Sequence, residues 1–209
     1  MSVIDLSHIM TSGMPVYPGT PHAILKPVYT LKNDGFNELQ LTITTHTGTH
    51  IDCPFHIIED GFTTSTDINR FYGGAIVIDC RETGSTIPLS VFEHIDELIS
   101  GVEFIILFTG WDKYWGRPGY FKDYPVLDAG AAGYLANQNL KGVGIDAPSF
   151  DHFGEDLPVH HKLLGSGKIL IENLTNLISV SRVSFDFSCF PLYLHHGDGS
   201  PVRAAAIIK

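Results

Sequence analysis

The clearest alternation of apolar and polar positions lies at residues 38–44, where Leu39, Leu41 and Ile43 are separated by polar side chains. A period of two is typical of a β-strand with one buried face. Strands are predicted on this and related patterns at 3–9, 24–31, 37–46, 75–79, 104–108, 143–146, 168–172, 182–187 and 201–208. The run at 104–108 is apolar throughout, which predicts a strand that is buried on both faces.

Helical spacing is confined to short segments. Apolar residues between Ser90 and Ser100 recur at helical intervals, and Ser90 with Glu93 forms a possible capping box. A second helix is predicted at 129–138 with Asp128 as its cap, and a third begins near Pro158. Because we find no repeat or linker, the pattern predicts one α/β domain spanning residues 1–209.

Candidate chemistry is concentrated in residues 46–56, where eleven positions hold His46, His50, Asp52 and His56. The surrounding threonines and Gly48 disfavour a helix, so these side chains are expected on a strand end, a turn and a second extended piece. Imidazole nitrogens and carboxylate oxygens are ordinary ligands of divalent metal ions. A polar surface loop is the alternative, but four candidate ligands at this spacing favour a metal site.

Composition and net charge argue against some binding partners and favour one cellular setting. The chain has 209 residues, 44% of them hydrophobic, and a formal net charge of −10. An acidic chain of this kind is not expected to bind nucleic acid or an anionic membrane. Cys53, Cys80 and Cys189 form no disulfide framework, and the N-terminus lacks the pattern of a signal peptide, so a reducing, cytoplasmic setting is predicted.

The segment His-x-Gly-Thr-His-x-Asp-x-Pro-x-His, which begins at His46, resembles the motif of the metal-dependent cyclase family of hydrolases. This family includes bacterial kynurenine formamidases and isatin hydrolases. Thr109-Gly110-Trp111 and the Pro201-Val202-Arg203 segment also resemble family landmarks. The resemblance implies a swivelling β/β/α fold, in which short helices flank a mixed, barrel-like sheet, and a homo-oligomer of two or more chains.

The same resemblance implies a set of metal ligands from two distant parts of the chain. His46, His50 and Asp52 would hold one ion. Asp52, His160 and Glu172 would hold a second, so that Asp52 bridges the pair. One or two Zn²⁺ ions per chain are expected, with Mn²⁺ as the alternative, because mixed nitrogen and oxygen ligands suit both.

His56 is left without a ligand role and is predicted to be the catalytic general base and then the general acid. Tyr17, in a Pro-rich loop, is predicted to contact the substrate, although a tryptophan is expected near this position in the formamidases. The aromatic residues of the 111–126 loop would either pack around an insertion or form a hydrophobic rim for an aromatic substrate.

Several polar residues keep two possible roles at this stage. Asp146 and Asp151 would either orient the histidines or cap turns, and Arg203 would form a structural ion pair or support the site. His161, His195 and His196 receive no role.

The predicted function is hydrolysis of an amide bond in a small aromatic substrate by a metal-activated water. An arylformamidase, which converts N-formylkynurenine to kynurenine and formate, is the first hypothesis. Hydrolysis of a cyclic amide or lactone such as isatin is the second, and a non-catalytic metal-binding protein is the third.

Overall fold

A computed structural model describes residues 1–93 and 95–209 of the chain. The strands are β1 Ser2–Asp5, β2 Ile24–Tyr29, β3 Glu38–Thr42, β4 His50–Asp52, β5 Tyr72–Asp79, β6 Thr86–Ile87, β7 Phe104–Phe108, β8 Val126–Leu127, β9 Gly142–Ile145, β10 Ile169–Glu172, β11 Phe185–Ser188, β12 Gly199–Pro201 and β13 Ala205–Ile208. The α-helices are α1 Leu31–Asp34, α2 Asp96–Ile99, α3 Ala129–Asn137 and α4 Pro158–Gly165. Short 3₁₀ turns occupy Pro54–His56, Ile68–Phe71, Leu89–Phe92, Trp111–Tyr114 and Leu177–Val180.

Nine of these strands form one mixed sheet in the order β1-β13-β11-β5-β7-β9-β10-β4-β12. The four central strands β5, β7, β9 and β10 are parallel neighbours, and the remaining pairings are antiparallel. The sheet is strongly curled into a half-barrel and carries few, short helices. The predicted mixed α/β fold with a barrel-like sheet is therefore confirmed.

The core lies on both faces of this sheet. Ile105 and Leu107 of β7 pack with Leu135 of α3 and Leu163 of α4 on one face. Phe104, Ile106 and Phe108 of the same strand pack with Phe187 of β11 on the other face. This division explains why the 104–108 run is apolar at every position, as successive side chains of a strand point to opposite faces.

The predicted helix at 129–138 matches α3, and the Asp128 side chain accepts a hydrogen bond from the Ala131 amide at its N-terminus. The single helix predicted from Ser90 to Ser100 is wrong. A 3₁₀ turn ends at Phe92, Glu93 is extended, and α2 begins only at Asp96. An extended Glu93 cannot complete the capping box, and the part of this prediction that falls on His94 lies outside the described residues.

The strand predicted at 37–46 ends early, at Thr42. The Thr47 hydroxyl accepts a hydrogen bond from the Thr44 amide at 3.1 Å and lies 3.0 Å from the Thr44 hydroxyl. These contacts close a turn, because threonine side chains compete with strand pairing for backbone groups. His46 therefore lies in a turn and not at the end of a strand.

Strands β2 and β3 form a separate antiparallel hairpin outside the nine-stranded sheet. The parallel pair β6–β8 forms a third, two-stranded sheet. Within the part of the chain that the structure describes, none of the helices has the length and apolar content required to cross a bilayer.

Candidate metal centre

The histidine-rich motif enters the sheet through a tight turn at Gly48. Its φ of +71° is a left-handed conformation that glycine adopts without strain. The chain then forms β4, which lies between β10 and β12. Antiparallel pairing sets His50 directly opposite Glu172 and Asp52 opposite Leu170. The sheet register therefore brings the first part of the motif beside the distant carboxylate.

His160 reaches the same place from α4. This helix begins at Pro158, as predicted. Asp151 accepts hydrogen bonds from the amides of Val159 and His160, both at 2.9 Å, and lies 2.6 Å from His160 Nδ1. One carboxylate thus caps the helix and orients the imidazole, so Asp151 has both roles that the sequence left open.

Four buried side chains converge at this point. His50 Nε2 lies 3.3 Å from Asp52 Oδ1 and 3.4 Å from Glu172 Oε2. His160 Nε2 lies 3.5 Å from Asp52 Oδ2 and 3.3 Å from Glu172 Oε1. We call His50, Asp52, His160 and Glu172 the buried quartet, since none is more than 4% exposed.

The quartet has the donor chemistry of a divalent metal site. Its internal nitrogen–oxygen separations of 3.3–3.5 Å exceed those of strong charge-assisted hydrogen bonds. The outer contacts are shorter: His50 Nδ1 lies 2.8 Å from the Gly48 carbonyl oxygen, and His160 Nδ1 lies 2.6 Å from Asp151. Each ring is therefore held through Nδ1 while Nε2 faces the carboxylates, which is the usual arrangement of a metal-binding histidine.

His46 joins the quartet from its edge. Its Nδ1 lies 2.6 Å from Asp52 Oδ1, and its Nε2 lies 2.7 Å from Asp198 Oδ2. Potential ligand atoms of His46, His50 and Asp52 lie within 4.8 Å of one another, and so do those of Asp52, His160 and Glu172. The structure thus brings together all five residues that the sequence nominated, in the two groups that share Asp52. Their role as ligands stays a prediction.

His56 lies beside this cluster. Its ring centroid is 4.2 Å from that of His46 and 6.2 Å from that of His160, and its Nδ1 lies 3.3 Å from Asp198 Oδ2. Asp198 therefore contacts both His46 and His56. Sequence analysis missed this aspartate, because nothing in the Gly-Asp-Gly turn at 197–199 distinguishes a contact to the site from an ordinary turn residue.

Burial and the neighbouring carboxylates shift the pKa values of the three histidines His50, His160 and His56 in different directions. Burial lowers the pKa of His50, but Asp52 and Glu172 outweigh it and raise that pKa to about 10. Burial also lowers the pKa of His160, but contacts with Asp151, Asp52 and Glu172 raise it by more. The pKa of His160 therefore lies well above its ordinary value. For His56 burial prevails and the pKa is lowered. The quartet histidines thus hold protons in the metal-free protein, whereas His56 favours the neutral form of a general base.

Metal binding is expected to release protons, because a ligating imidazole must lose the proton that the neighbouring carboxylates stabilise. Apparent affinity should therefore rise with pH, by up to about tenfold per pH unit for each displaced proton, until the raised pKa of His50 is reached. Titration calorimetry of metal-free protein in buffers of different ionisation enthalpy measures the protons released. Metal binding with no proton release would contradict this assignment of charges.

The cluster opens into a cavity of about 230 Å³. Tyr17 and Phe121 line it, and their rings meet edge to face at 5.9 Å. Tyr17 also packs against Phe153 at 5.6 Å. Tyr17 therefore lies where sequence analysis expected a substrate contact, although its role as one stays a prediction.

The aromatic residues of the 111–126 loop are divided between the cavity wall and the packing around it, and their role as a rim for a substrate stays a prediction. Phe121 faces the cavity, whereas Trp111 and Tyr120 belong to the packing beneath it. Trp111 Nε1 donates to the Tyr120 carbonyl oxygen at 2.8 Å, and the buried Tyr120 hydroxyl donates to Asn173 Oδ1 at 2.7 Å. Asn173 in turn donates from Nδ2 to the Gly48 carbonyl oxygen at 3.1 Å, which fixes the turn that carries the motif. Sequence reasoning missed Asn173, although it directly follows Glu172.

The other polar candidates lie elsewhere. Asp146 accepts hydrogen bonds from the Thr109 amide and hydroxyl and from the Gly110 amide, so it caps a turn. Arg203 forms an exposed ion pair with Asp5 at 2.8 Å. His161 is exposed on α4, and His195 and His196 line a separate surface pocket.

Comparison with known proteins agrees with this geometry. Residues 4–152 match the family model described as "Putative cyclase". The chain is 35% identical over 205 residues to a kynurenine formamidase of Geobacillus thermodenitrificans, covering 97% of this chain and 95% of the relative. It is 33% identical over 205 residues to a kynurenine formamidase of Bacillus mycoides, covering 96% of this chain and 95% of the relative.

Solved structures show the same fold. An isatin hydrolase bound to the product analogue thioisatinate superposes with a TM-score of 0.89 at 22% identity, covering 99% of this chain and 92% of the other. A structure described as a potential metal-dependent hydrolase with cyclase activity gives a TM-score of 0.82 at 26% identity, covering 100% and 99% of the two chains. The matched family model and the relatives over nearly the full length lead to one conclusion: the chain belongs to the cyclase family of metal-dependent hydrolases.

Proposed function

We propose that this protein is a metal-dependent arylformamidase, which hydrolyses the formamide bond of a small aromatic substrate such as N-formylkynurenine. The observation that carries the proposal is the buried quartet at the base of a cavity with aromatic walls. A buried group of two carboxylates and two imidazoles is costly unless it is paired or binds a cation. Relatives named kynurenine formamidase at 32–35% identity over nearly the whole chain support the choice of substrate.

The quartet, with His46 beside it, would hold one or two divalent ions. A bound divalent ion supplies Lewis acidity, which lowers the pKa of a water molecule and polarises a carbonyl group. Zn²⁺ is proposed, with Mn²⁺ as the alternative, since imidazole and carboxylate ligands suit both. The residues of the chain fix the donor atoms: sheet pairing holds His50 against Glu172, and Asp151 holds the imidazole of His160.

His56 would carry the proton transfers. Its pKa is lowered by burial, so the ring is available to accept a proton from the attacking water near neutral pH. The same ring would then donate that proton to the leaving nitrogen of the aryl amine. Asp198, 3.3 Å from His56 Nδ1, would orient the ring and stabilise it while it is protonated.

The walls of the cavity suit an aromatic ring next to the scissile bond. Tyr17 and Phe121 supply apolar faces on one side, while the polar side chains of the quartet form the base. Burial of an aromatic substrate against these rings would orient it, and exclusion of water would strengthen its polar contacts with the base of the cavity.

A direct assay tests the proposal. Metal-loaded protein is expected to hydrolyse N-formylkynurenine with a higher kcat/KM than isatin, measured in parallel with added Zn²⁺ and with added Mn²⁺. Metal content per chain is measured on the same samples by elemental analysis. Bound metal with no turnover of a broad panel of amides and esters would overturn the proposal and favour a metal-binding protein without catalysis.

Hydrolysis of a cyclic amide or lactone is the second candidate. The specific observation in its favour is Tyr17, a tyrosine where the resemblance to formamidases leads us to expect a tryptophan. A larger kcat/KM for isatin in the same assay would replace the first candidate with this one.

We also propose that residues 1–209 act as one catalytic domain, because β1 and β13 from the two ends of the chain pair within the nine-stranded sheet. A homo-oligomer of two or more chains is proposed from the resemblance to the family alone. A reducing, cytoplasmic location is proposed from the three cysteines, which are all free and buried.

A further inference from the structure

A second cavity lies next to the one that opens from the candidate metal centre. Its volume is about 590 Å³. Pro15, Val16 and Phe121 line both cavities, so the two spaces share a wall. A ligand that fills the first cavity and extends past this wall would enter the second.

The second cavity is lined by positive charge. Arg117, Lys122 and His22 contribute to its lining, whereas the lining residues that the structure describes include no aspartate or glutamate. The whole chain, by contrast, has 23 acidic residues and only 13 lysines and arginines. A concave basic surface of this kind attracts anions, although the rest of the protein repels them.

The two cations of the second cavity have no partner of their own. Neither Arg117 nor Lys122 forms an ion pair within the described ranges 1–93 and 95–209. Arg81, by contrast, is paired with Asp79 at 2.6 Å. The guanidinium and the ammonium group of the cavity are therefore free to bind a carboxylate, which a guanidinium contacts with two parallel hydrogen bonds.

The loop that carries both cations is held by consecutive tight turns. The Arg117 amide donates to the Tyr114 carbonyl oxygen at 2.9 Å, and the Lys122 amide donates to the Gly119 carbonyl oxygen at 2.9 Å. Tyr120 lies between the two cations in the chain and is only 2% exposed. The backbone therefore needs no rearrangement before the cations bind a ligand, which lowers the entropic cost of binding.

The second cavity also contacts the histidine-rich turn. Met14 lines this cavity and is 5% exposed. A Cβ atom placed on Gly48 would lie 2.9 Å from Met14 Cε, so Met14 packs directly against the turn. The same chain segments thus form the boundary of both cavities, which favours one ligand that spans them over a separate anion in the second cavity alone.

We propose that the second cavity binds a carboxylate of the substrate whose aromatic ring occupies the first cavity. Arg117 and Lys122 would bind the carboxylate, and Phe121 would contact the ring. This inference rests on the proposed function and narrows it, because the preferred substrates would be aryl formamides whose ring carries an anionic side chain. N-formylkynurenine has a side chain that ends in a carboxylate, whereas isatin has none.

The test compares two double variants of the metal-loaded, full-length protein on two substrates. Arg117→Gln with Lys122→Gln removes both cations from the second cavity. The matched control, Lys113→Gln with Lys162→Gln, removes two exposed positive charges that line neither cavity. N-formylkynurenine is compared with ortho-formamidoacetophenone, which has the same ring, ketone and formamide but no carboxylate.

The cavity variant is expected to raise KM for N-formylkynurenine by about tenfold or more and to change kcat by less than about twofold. Its KM for the neutral substrate should equal that of the wild type, which also shows that the fold is intact. In the wild type and the control, KM for N-formylkynurenine should rise with salt, because salt screens the two cations. An unchanged KM in the cavity variant, or an equal rise for both substrates, would overturn the proposal.

Failure of the proposed function gives a different result, since the wild type would then hydrolyse neither substrate. Titration calorimetry with the same two compounds decides the role of the second cavity in that case. The wild type is expected to bind N-formylkynurenine about tenfold more tightly than the neutral compound, and the cavity variant to bind both equally. Equal affinities in the wild type would contradict the proposal. So would acetate that binds the wild type without competing with N-formylkynurenine, since it would indicate a separate anion site.

Discussion

Replacement of His160 by alanine is expected to weaken metal binding by more than about 100-fold and to remove almost all turnover. His160 Nε2 faces both Asp52 and Glu172, at 3.5 and 3.3 Å, so its removal takes away one of the four side chains that converge there. The variant also leaves two buried carboxylates with one imidazole fewer to balance them, which is expected to destabilise the metal-free protein.

The chain supplies a matched control for this experiment. His161 is the next residue on α4, but it is exposed and has no contact with the quartet. His161→Ala should keep wild-type metal content and kcat/KM. Elemental analysis after gel filtration and steady-state kinetics measure both quantities. Equal metal content in the two variants would remove His160 from the ligand set.

Replacement of His56 by alanine has the second largest expected effect, and it separates catalysis from metal binding. Because His56 lies beside the quartet and not within it, His56→Ala should keep its bound metal. Loss of the proton-transfer group should lower kcat by about 10²–10⁴-fold, with a much smaller change in KM.

The control for His56 is His195→Ala, since His195 lines a separate surface pocket. This variant should have wild-type kinetics. Asp198→Asn should fall between the two, because the amide still orients the ring through a hydrogen bond but no longer stabilises its protonated form. An unchanged kcat in His56→Ala would exclude His56 from the mechanism, whatever the metal content.

The prediction of secondary structure succeeded where local pattern and burial act together. The apolar run at 104–108 is a buried central strand, and Asp128 caps α3 as predicted. The prediction of secondary structure failed where a local hydrogen bond or backbone conformation differed from what the apolar–polar pattern indicates. Thr47 closes a turn that ends β3 four residues early, and the extended backbone of Glu93 interrupts the helical spacing of the 90–100 segment.

The residues of the candidate site also fall into those that the sequence identified and those that only the fold revealed. Sequence spacing identified His46, His50, Asp52 and His56, because four ligand-type side chains within eleven residues are difficult to explain by packing. His160 and Glu172 were nominated only through family resemblance. Asp198 and Asn173 were missed, because each is an ordinary turn residue until the fold sets it against the histidine-rich turn.

The amino-acid sequence by itself determined the types of side chain that the site contains, the short motif that carries half of them, and the alternation of strands and short helices. Only the tertiary structure decided that β4 pairs with β10, that α4 points His160 at the same two carboxylates, and that Asp198 lies between His46 and His56. The physical reason is that ligand geometry depends on strand register and helix placement. Both are fixed by burial of the core across the whole chain, whereas a sequence motif specifies only the residues that are adjacent to one another.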